Sequence, residues 1–499
     1  MTVADSVGGR TARGRTGRGR VQATGGPATA AFRTHLETAR VAGDPGQLVW
    51  ATCPAPELDP ISLYATARAL GFEAVLWLQP AAGRSIVGVG RAWAIEAGGP
   101  ERFSAAALAW RAVLDGDGGP ASAAAAAPGP GPILLGGLGF SGRKPASGDT
   151  WAPFGAASLV LPTFTLSRDS SGAVLTTAAG PEQTRGLDPD RLERDWADLV
   201  SRCQDRPEAM AGVSPRLPGA AAATAQSIPD RVAWDRIVGL FAGAVGRGRI
   251  DKVVLSRRVA YRATADFDLV SALRHLARTA PESTTFAFGR MGATFLGATP
   301  ERLARTKGRS FETVAIAGSA ARGQGAAEDA RYAAALLASE KDREEQAVVV
   351  ETLRSSLAPI VEVMDVPDAP GILKLRHVQH LVTPITGRLR EKGGLLALAA
   401  RLHPTPAVGG APRDMALEMI AEHEHADRGW YAGPIGWLGA DGDGELMVAL
   451  RCGLVTGSQA TLFAGCGIVA DSDPATEWEE SRLKLRAMGL ALGVPGEDG

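Results

Sequence analysis

Two short acidic segments of the chain carry carboxylates at a spacing that suits a divalent metal ion. They are residues 339–345 (SEKDREE) and residues 476–481 (TEWEES). In each segment two acidic residues stand three positions apart, and such residues share one face of an α-helix. Mg2+ is a hard cation that typically takes one or two carboxylates and keeps water or substrate oxygens at its other positions. We therefore predict a magnesium site. Its predicted ligands are Asp342, Glu345, Glu477 and Glu480.

Each acidic segment also has a simpler interpretation. Glu480 and Lys484 have the i,i+4 spacing of an ordinary surface ion pair, and residues 341–345 can form a solvated charged face. The metal hypothesis gains support because both segments lie in a C-terminal half with other candidate groups. That half also holds a lysine-containing strand, a Pro-Glu turn and a strand flanked by glycines.

A lysine on a predicted strand is the first candidate for acid–base chemistry. Residues 252–257 read KVVLSR, and strand alternation places Lys252, Val254 and Ser256 on one face. If that face lines a cleft, burial disfavours the ammonium, so Lys252 can lose its proton near neutral pH and act as a general base. The alternative is a lysine at a strand end whose ammonium reaches solvent.

Three further positions are suited to an anionic substrate. Glu301 follows Pro300, which ends a strand, and the turn can aim the carboxylate into a cleft or use it as a cap. Arg451 ends an apolar strand, where a rigidly held guanidinium can grip a carboxylate with two parallel hydrogen bonds. Gly465 and Gly467 allow backbone N–H groups to approach an anion closely.

The elements that must position these groups follow an irregular alternation of strands and helices. Runs typical of strands occur at residues 252–255, 284–288, 446–450 and 461–464. One helix is predicted over about residues 325–357, with a possible break. Another is predicted to begin at Pro474, because Asp473 is a good N-cap, and it would align Glu477, Glu480 and Lys484 on one stripe. The pattern favours an α+β fold with largely antiparallel sheets flanked by helices.

Composition divides the chain of 499 residues into three parts. Residues 1–30 are rich in Arg and Gly and are expected to be a disordered tail, with a basic interaction arm as the alternative. Residues 31–228 are expected to be an N-terminal scaffold with Ala-, Gly- and Pro-rich loops near residues 117–132 and 204–226. Residues 229–499 are expected to form the catalytic region.

Bulk properties exclude several classes of function. A formal net charge of −1 provides no long-range attraction to nucleic acid or to an anionic membrane. No stretch of about 18 apolar residues is present, and the N-terminus lacks the apolar core of a secretory signal. The four cysteines are scattered and form no C-x-x-C pair. We expect a soluble cytoplasmic protein whose partner is a small molecule.

Taken in order along the chain, these segments resemble the chorismate-utilising enzymes, which include isochorismate, salicylate, anthranilate and aminodeoxychorismate synthases. The resemblance covers roughly residues 230–490. The segments that carry it are KVVLSR (252–257), GATPE (297–301), AGS (317–319), SEKDR (339–343), QHL (379–381), LHPTPAV (402–408), WYAG (430–433), RC (451–452) and AGCGIV (464–469).

The resemblance implies two subdomains of antiparallel sheets and helices around a deep cleft. It also implies that Glu345 and Glu480 hold Mg2+ on the ring carboxylate of chorismate, with Asp342 and Glu477 just behind or bound through water. The substrate-binding residues that it implies are His380, Ala407, Tyr431, Arg451, Gly465, Gly467 and Lys484.

Two positions separate the reactions of this family. Isochorismate and salicylate synthases are similar in having a lysine where Lys252 stands, whereas anthranilate synthases tend to have glutamine and use ammonia. Aminodeoxychorismate synthases often have a lysine where Ala317 stands. The chain therefore most resembles the isochorismate synthases. In the implied mechanism Lys252 deprotonates water for attack at ring C2, and Glu301 protonates the leaving C4 hydroxyl.

Other interpretations stay open at this point. A salicylate synthase performs the same hydration and then eliminates pyruvate, although the segment 402–408 looks more like the isochorismate synthases. A non-catalytic chorismate-binding protein is the alternative from another class. Two residues depart from the family pattern: Gln346 stands where a His is common, and Cys466 stands where Ala is usual. Neither touches an assigned catalytic group. A monomer without a glutaminase subunit is expected, serving either menaquinone or siderophore synthesis.

Overall fold

The computed structural model describes residues 33, 48–115, 121–122, 131–183, 186–205, 224–374, 378–424 and 426–496. The predicted tail, residues 1–30, lies outside the described residues. Most of the two low-complexity loops, 117–132 and 204–226, lies outside them as well. The division of the chain at residue 228 stays a prediction.

Twenty-three strands are found in the described residues. The first ten are β1 (Val49–Pro54), β2 (Ala74–Gln79), β3 (Arg84–Val89), β4 (Trp93–Ala97), β5 (Ala121–Ser122), β6 (Ile133–Leu138), β7 (Ala157–Leu161), β8 (Phe164–Asp169), β9 (Gly172–Ala179) and β10 (Thr224–Ile228). The others are β11 (Lys252–Arg262), β12 (Thr284–Arg290), β13 (Ala293–Thr299), β14 (Arg302–Lys307), β15 (Ser310–Ala321), β16 (Val361–Asp365), β17 (Gly371–Lys374), β18 (Val378–Leu389), β19 (Gly410–Ala411), β20 (Pro434–Gly439), β21 (Gly444–Val448), β22 (Cys452–Thr456) and β23 (Gln459–Ile468).

Ten α-helices accompany the strands in the same part of the chain. They are α1 (Pro60–Ala69), α2 (Arg102–Leu114), α3 (Pro189–Gln204), α4 (Arg231–Gly246), α5 (Leu269–Thr279), α6 (Ala326–Ala338), α7 (Glu340–Leu357), α8 (Leu395–Leu402), α9 (Arg413–His423) and α10 (Pro474–Leu492). Across the described residues, no helix combines the length and apolar character that crossing a membrane requires.

The strands form two large sheets. The first has 13 strands in the order β10-β11-β23-β22-β13-β12-β2-β3-β8-β9-β1-β5, with β19 also paired to β11. The second has 10 strands in the order β16-β18-β15-β14-β21-β20-β6-β7-β4, with β17 also paired to β18. Only the β1–β5 pair is parallel among the pairings of the described strands. The predicted α+β class with largely antiparallel sheets is confirmed.

Strands from the N-terminal part of the chain are built into both sheets. β2 pairs with β12 in the first sheet, and β6 pairs with β20 in the second. Aromatic side chains pack at the junction of these parts, where Phe154 and Phe295 both contact Trp430 at ring-centroid distances of 5.2 and 6.3 Å. The strands that carry the candidate site are therefore braced by residues from the first third of the chain.

The long antiparallel pair of β11 with β23 sets the register of the site. Val254 lies opposite Gly467, and Ser256 lies opposite Gly465. Consecutive residues of a strand point to opposite faces, so Lys252 shares a face with these two glycines rather than with Cys466. The register thus brings the candidate base next to a stretch of β23 that has no side chains on that face.

The possible break in the helix predicted over residues 325–357 is present, because Ser339 is extended and caps α7 by accepting a hydrogen bond from Asp342 N at 3.3 Å. One local expectation is wrong. Arg451 does not end a strand: β21 ends at Val448, and Arg451 lies in the connection to β22 with a left-handed φ of 49°. The helix predicted to begin at Pro474 is confirmed.

The N-cap of α10 leads to a testable prediction. Asp473 Oδ1 accepts hydrogen bonds from both the backbone N and the Oγ1 of Thr476, each at 2.9 Å. Asp473→Ala should cost about 1 kcal/mol and loosen the first turn that carries Glu477. Hydrogen exchange of residues 475–480 and thermal unfolding measure both effects. Asp188→Ala, which uncaps α3, is the matched control and should leave exchange in α10 unchanged.

Candidate active site

Lys252 and Glu345 form the first contact of the site. Lys252 begins β11, and its Nζ lies 2.8 Å from Glu345 Oε1 on α7. A Cβ built on Gly467 would lie only 2.6 Å from Lys252 Cε. The glycine therefore provides the space in which the lysine side chain lies across β23. Side-chain exposures of 22% for Lys252 and 34% for Glu345 show that the pair is partly exposed and not part of the core.

Glu301 lies between β13 and β14 and is fixed through its backbone. Its carbonyl accepts a hydrogen bond from Val448 N at 2.9 Å, and its N–H donates to Thr299 Oγ1 at 3.3 Å. Burial raises the pKa of Glu301 to about 7, although Arg451, Lys252 and Lys484 act to lower it. A carboxylic acid with this pKa is about half protonated near neutral pH, so Glu301 can donate a proton.

Arg451 supplies a partly buried positive charge that acts on Glu301. Its carbonyl accepts a hydrogen bond from Ala298 N at 3.2 Å, which ties the connection between β21 and β22 to β13. Burial lowers the pKa of the guanidinium, whereas Tyr431, Glu480 and Glu301 raise it. Arginine nevertheless stays charged in proteins, so this position offers a fixed cation for a substrate carboxylate.

A second lysine–carboxylate pair lies on α10. Lys484 Nζ lies 2.5 Å from Glu480 Oε1 and donates to the Gly465 carbonyl at 2.8 Å. Helix α10 therefore contacts β23 at the glycine that lies opposite Ser256. Two of the predicted metal ligands, Glu345 and Glu480, are thus each paired with a lysine of the same site.

Glu477 and Cys466 lie next to Glu480. Ligand atoms of these three side chains lie within 4.8 Å of one another. Burial raises the pKa of Glu477, and Ser472 Oγ donates to its Oε1 at 2.7 Å. Burial also raises the pKa of Cys466 to about 12, so its thiol is neutral near pH 7. The carboxylates fit a hard cation such as Mg2+, whereas a neutral thiol does not.

Asp342, the fourth predicted ligand, lies against a bulge in β15. A Cβ built on Gly318, whose φ is 69°, would lie 3.0 Å from Asp342 Oδ1. The pairing of β15 with β18 shifts register at this glycine. Asp342 therefore packs on the segment of β15 that leads to Ser319. Asp342 itself lies one turn of α7 before Glu345.

His380 is held by the same bulge. Its Nδ1 lies 2.7 Å from Ser319 Oγ. Burial lowers the pKa of His380 to about 4, and the positive charge of Arg451 lowers it further, against a hydrogen bond to Gly318. The imidazole is therefore neutral near pH 7, which suits hydrogen bonding to a substrate better than proton donation from an imidazolium.

Tyr431 and Ala407 complete the positions predicted to bind substrate. The Tyr431 ring stacks on Phe463 at 5.3 Å, and a Cβ on Gly465 would lie 3.0 Å from Tyr431 Oη. Burial raises the pKa of Tyr431, so its hydroxyl stays protonated. Ala407 is half-buried in the loop between α8 and β19, next to Val408.

The charges of the site are coupled to one another across different elements. The charges of Lys252, Lys484 and Arg451 affect the pKa of Glu301. The charges of Arg451, Lys484 and Glu480 affect the pKa of His380. One electrostatic environment thus includes the predicted site residues on β11, α10 and β18. It also includes Glu301, between β13 and β14, and Arg451, between β21 and β22. Their roles in binding and catalysis stay predictions.

One buried ion pair next to the site was not predicted from the sequence. Glu424 and Arg428 form an ion pair with side-chain exposures of 6% and 3%, and Glu424 also bonds Ser256. The signal in the sequence was their i,i+4 spacing just before Trp430 and Tyr431. An i,i+4 pair is ordinarily a surface feature, so the spacing alone did not indicate burial.

Comparison with known proteins identifies the family. A family model described as chorismate binding enzyme matches residues 34–493. The chain belongs to this family. A protein named salicylate biosynthesis isochorismate synthase, from Pseudomonas aeruginosa, is 39% identical over 456 residues, covering 90% of this chain and 91% of its own length. The isochorismate synthase MenF of Bacillus subtilis is 34% identical over 365 residues, covering 72% of this chain and 74% of its own length.

A solved structure agrees with the fold. The menaquinone-specific isochorismate synthase from Escherichia coli matches with a TM-score of 0.73 at 24% identity, over 93% of this chain and all of the other. The resemblance to the chorismate-utilising enzymes stated from the sequence is confirmed, and the protein is an enzyme of the kind that acts on chorismate.

The raised pKa of Glu301 predicts a stability that depends on pH. Protonated Glu301 stabilises the fold fully below about pH 4.5, and this contribution is lost as the pH rises to about 7. Glu301→Gln removes the penalty, so above pH 7 the variant should be more stable than the wild type by up to about 3 kcal/mol.

Urea unfolding of both proteins between pH 5 and 8 measures this difference. Glu479→Gln, at a side chain that is 59% exposed, controls for the loss of a surface carboxylate. A stability difference between Glu301→Gln and wild type that does not grow with pH would contradict the assignment.

Proposed function

We propose that the protein is an isochorismate synthase, which isomerises chorismate to isochorismate. The observation that carries this proposal is the placing of Lys252 and Glu301 in one electrostatic environment, with the pKa of Glu301 raised to about 7. The two named relatives that cover most of the chain are isochorismate synthases, which supports the same conclusion. Lys252 rather than glutamine at its position favours water as the nucleophile over ammonia.

The reaction replaces a hydroxyl at C4 of the ring by one at C2. Lys252 accepts a proton from the water that attacks C2, and Glu301 gives a proton to the C4 oxygen, which leaves as water. One water enters and one leaves, so the net change is an isomerisation. Lys252 ends protonated and Glu301 ends ionised, and exchange with solvent restores both groups.

Positive charge and neutral donors would bind the substrate. Arg451 pairs with a carboxylate of chorismate, and the neutral side chains of His380 and Tyr431 donate or accept hydrogen bonds. Gly465 and Gly467 leave room for the side chains of Tyr431 and Lys252, because a Cβ at either position would meet one of them, and they are proposed to let the backbone of β23 approach the substrate closely. Ala407 lines the cleft from the loop between α8 and β19.

Mg2+ is the proposed cofactor, held by Glu345 and Glu480 with Asp342 and Glu477 nearby. When bound, it would neutralise the ring carboxylate of chorismate and orient it. Lys484 is proposed to hold Glu480 and the Gly465 carbonyl in place on the other side of the site.

Salicylate synthase is the second candidate, because one relative is named for salicylate biosynthesis. The same name calls that relative an isochorismate synthase, so it also agrees with a protein that makes only isochorismate. The proposed product can serve either menaquinone or salicylate and siderophore synthesis. Action as a cytoplasmic monomer without a glutaminase subunit remains part of the proposal.

The product assay tests the proposed reaction directly. Purified protein with chorismate and Mg2+, and without ammonium, should yield isochorismate, identified by chromatography and mass. Lys252→Ala should lose roughly two to four orders of magnitude in kcat because it removes the base, with unchanged thermal unfolding. Lys341→Ala, at an exposed lysine paired with Asp471, is the control and should keep full activity.

Other products would lead to other conclusions. Salicylate and pyruvate released in equal amounts would move the assignment to salicylate synthase. Binding of chorismate without turnover would favour a non-catalytic protein. Near wild-type turnover by a folded Lys252→Ala protein would exclude Lys252 as the base.

Metal binding can be tested both with and without turnover. In the activity assay, EDTA should abolish activity reversibly. Because Lys484 pairs with Glu480, Lys484→Met should raise the affinity for Mg2+ several-fold by removing a competing cation. Isothermal titration calorimetry of the protein alone measures this change, with Lys341→Met as the matched control. Equal affinities in wild type and Lys484→Met would place the metal away from Glu480.

A further inference from the structure

One edge of β11 lacks a strand partner between Val254 and Arg257. The short strand β19 pairs with Lys252 and Val253, and β10 pairs with β11 only from Arg258 onward. Among the described residues no strand covers the edge between these two pairings. Backbone N–H and C=O groups that are buried without a partner cost roughly 1–3 kcal/mol each, so this stretch needs other partners.

Two side chains take the place of the missing strand. Glu424 accepts hydrogen bonds from the backbone N of Ser256 at 2.7 Å and from its Oγ at 2.8 Å. Arg428 Nη2 donates to the carbonyl of Val254 at 2.8 Å. Val254 N itself donates to the Gly409 carbonyl at 3.0 Å. The backbone that follows Lys252 is therefore fixed by a carboxylate and a guanidinium.

Arg428 also reaches two other parts of the site. Its Nη1 donates to the carbonyl of Val408 at 2.8 Å, next to Ala407. Its own backbone carbonyl accepts a hydrogen bond from Tyr431 N at 3.0 Å. One residue thus joins the strand of the proposed base, the loop of Ala407 and the segment of Tyr431.

Stability alone is a weak reason for such a pair. Both side chains are almost fully buried, and Arg428 lies over the Phe140 ring at 4.2 Å from its centroid. Desolvating two charges offsets much of their attraction, and apolar residues of similar size often serve stability equally well. What apolar residues cannot supply is a set of directed hydrogen bonds to Val254, Ser256 and Val408.

We propose that Glu424 and Arg428 are positioning residues of the active site. They fix the backbone of β11 so that Lys252 keeps its place relative to the loop of Ala407 and to Tyr431. Neither residue is assigned a contact with substrate. The inference rests on the proposed function only in taking Lys252 as the base.

Arg428→Lys tests the proposal because it keeps the positive charge but removes the guanidinium group, whose two Nη atoms donate to different carbonyls. A lysine can neutralise Glu424, but its single ammonium cannot replace the guanidinium that joins Val254 to Val408. We expect kcat to fall roughly 10- to 100-fold, because small displacements of a catalytic group have effects of this size. KM for chorismate should change less than about twofold.

A matched control separates positioning from stability. Arg274 Nη2 donates to Asp59 Oδ2 at 2.8 Å, and their side chains are 29% and 20% exposed. This pair joins α5 to the N-cap of α1. Arg274→Met should lower the midpoint of thermal unfolding without changing kcat. If Arg428→Lys lowers the midpoint and also leaves kcat unchanged, the pair is merely structural and the proposal is wrong.

Two measurements in the absence of substrate keep the test independent of the reaction. In Arg428→Lys, peptides covering residues 252–258 should exchange backbone hydrogen faster than in wild type. Acylation of Lys252, read by mass spectrometry, should change in rate, while acylation of Lys341 should not. Unchanged exchange and unchanged acylation in Arg428→Lys would overturn the positioning proposal, whether or not the wild type makes isochorismate. A wild type that makes no isochorismate would overturn the proposed function instead.

The near-isosteric Glu424→Gln is the second variant if Arg428→Lys does not fold. It can still accept from Ser256 N, but it loses the charge that holds Arg428. Faster exchange over residues 252–258 together with a lower kcat supports positioning. Wild-type values for both would count against it.

Discussion

The antiparallel pairing of β11 with β23 is the constraint on which the site depends. It sets Val254 opposite Gly467 and Ser256 opposite Gly465. The lysine side chain can then cross β23, because a Cβ at position 467 would force the end of that side chain to move. The same strand β23 accepts the hydrogen bond of Lys484 from α10. A change of register by one residue would turn Lys252 to the opposite face.

Charge burial is the second physical theme. Three cations, Lys252, Lys484 and Arg451, lie around Glu301, yet burial still raises the pKa of this carboxyl to about 7. Desolvation therefore outweighs attraction at this position. The protein tolerates a carboxyl group that its folded state does not fully ionise. Such groups reduce stability at neutral pH and are characteristic of sites that move protons.

The strand of the candidate base is supported differently along its length. From Arg258 onward ordinary strand pairing with β10 satisfies its backbone. Near Lys252 the two-residue strand β19 and the side chains of Glu424 and Arg428 take over. The loop that carries Ala407 lies at this edge instead, and its Gly409 carbonyl accepts a hydrogen bond from Val254 N. Side-chain partners satisfy the backbone and still allow that loop to reach β11.

Sequence by itself determined the fold class and the family, and it named most of the residues of the candidate site. Alternation in residues 252–257 identified the face of Lys252, and the Asp473-Pro474 pair identified the start of α10, because both are local properties of the backbone. The break at Ser339 was foreseen only as a possibility, because the pattern of residues on both sides is helical.

Tertiary structure alone decided how the groups interact. The pairing of Lys252 with Glu345 joins residues 93 positions apart, and the sequence contains no signal for a contact of that length. The i,i+4 spacing of Glu424 and Arg428 is typical of a surface pair, whereas in the folded protein the two residues form a buried ion pair. The neutral state of His380 and the raised pKa of Glu301 likewise depend on desolvation and on charges from distant elements. Residue types and local spacing are properties of the chain, whereas solvent exclusion and electrostatic coupling exist only once the sheets have formed.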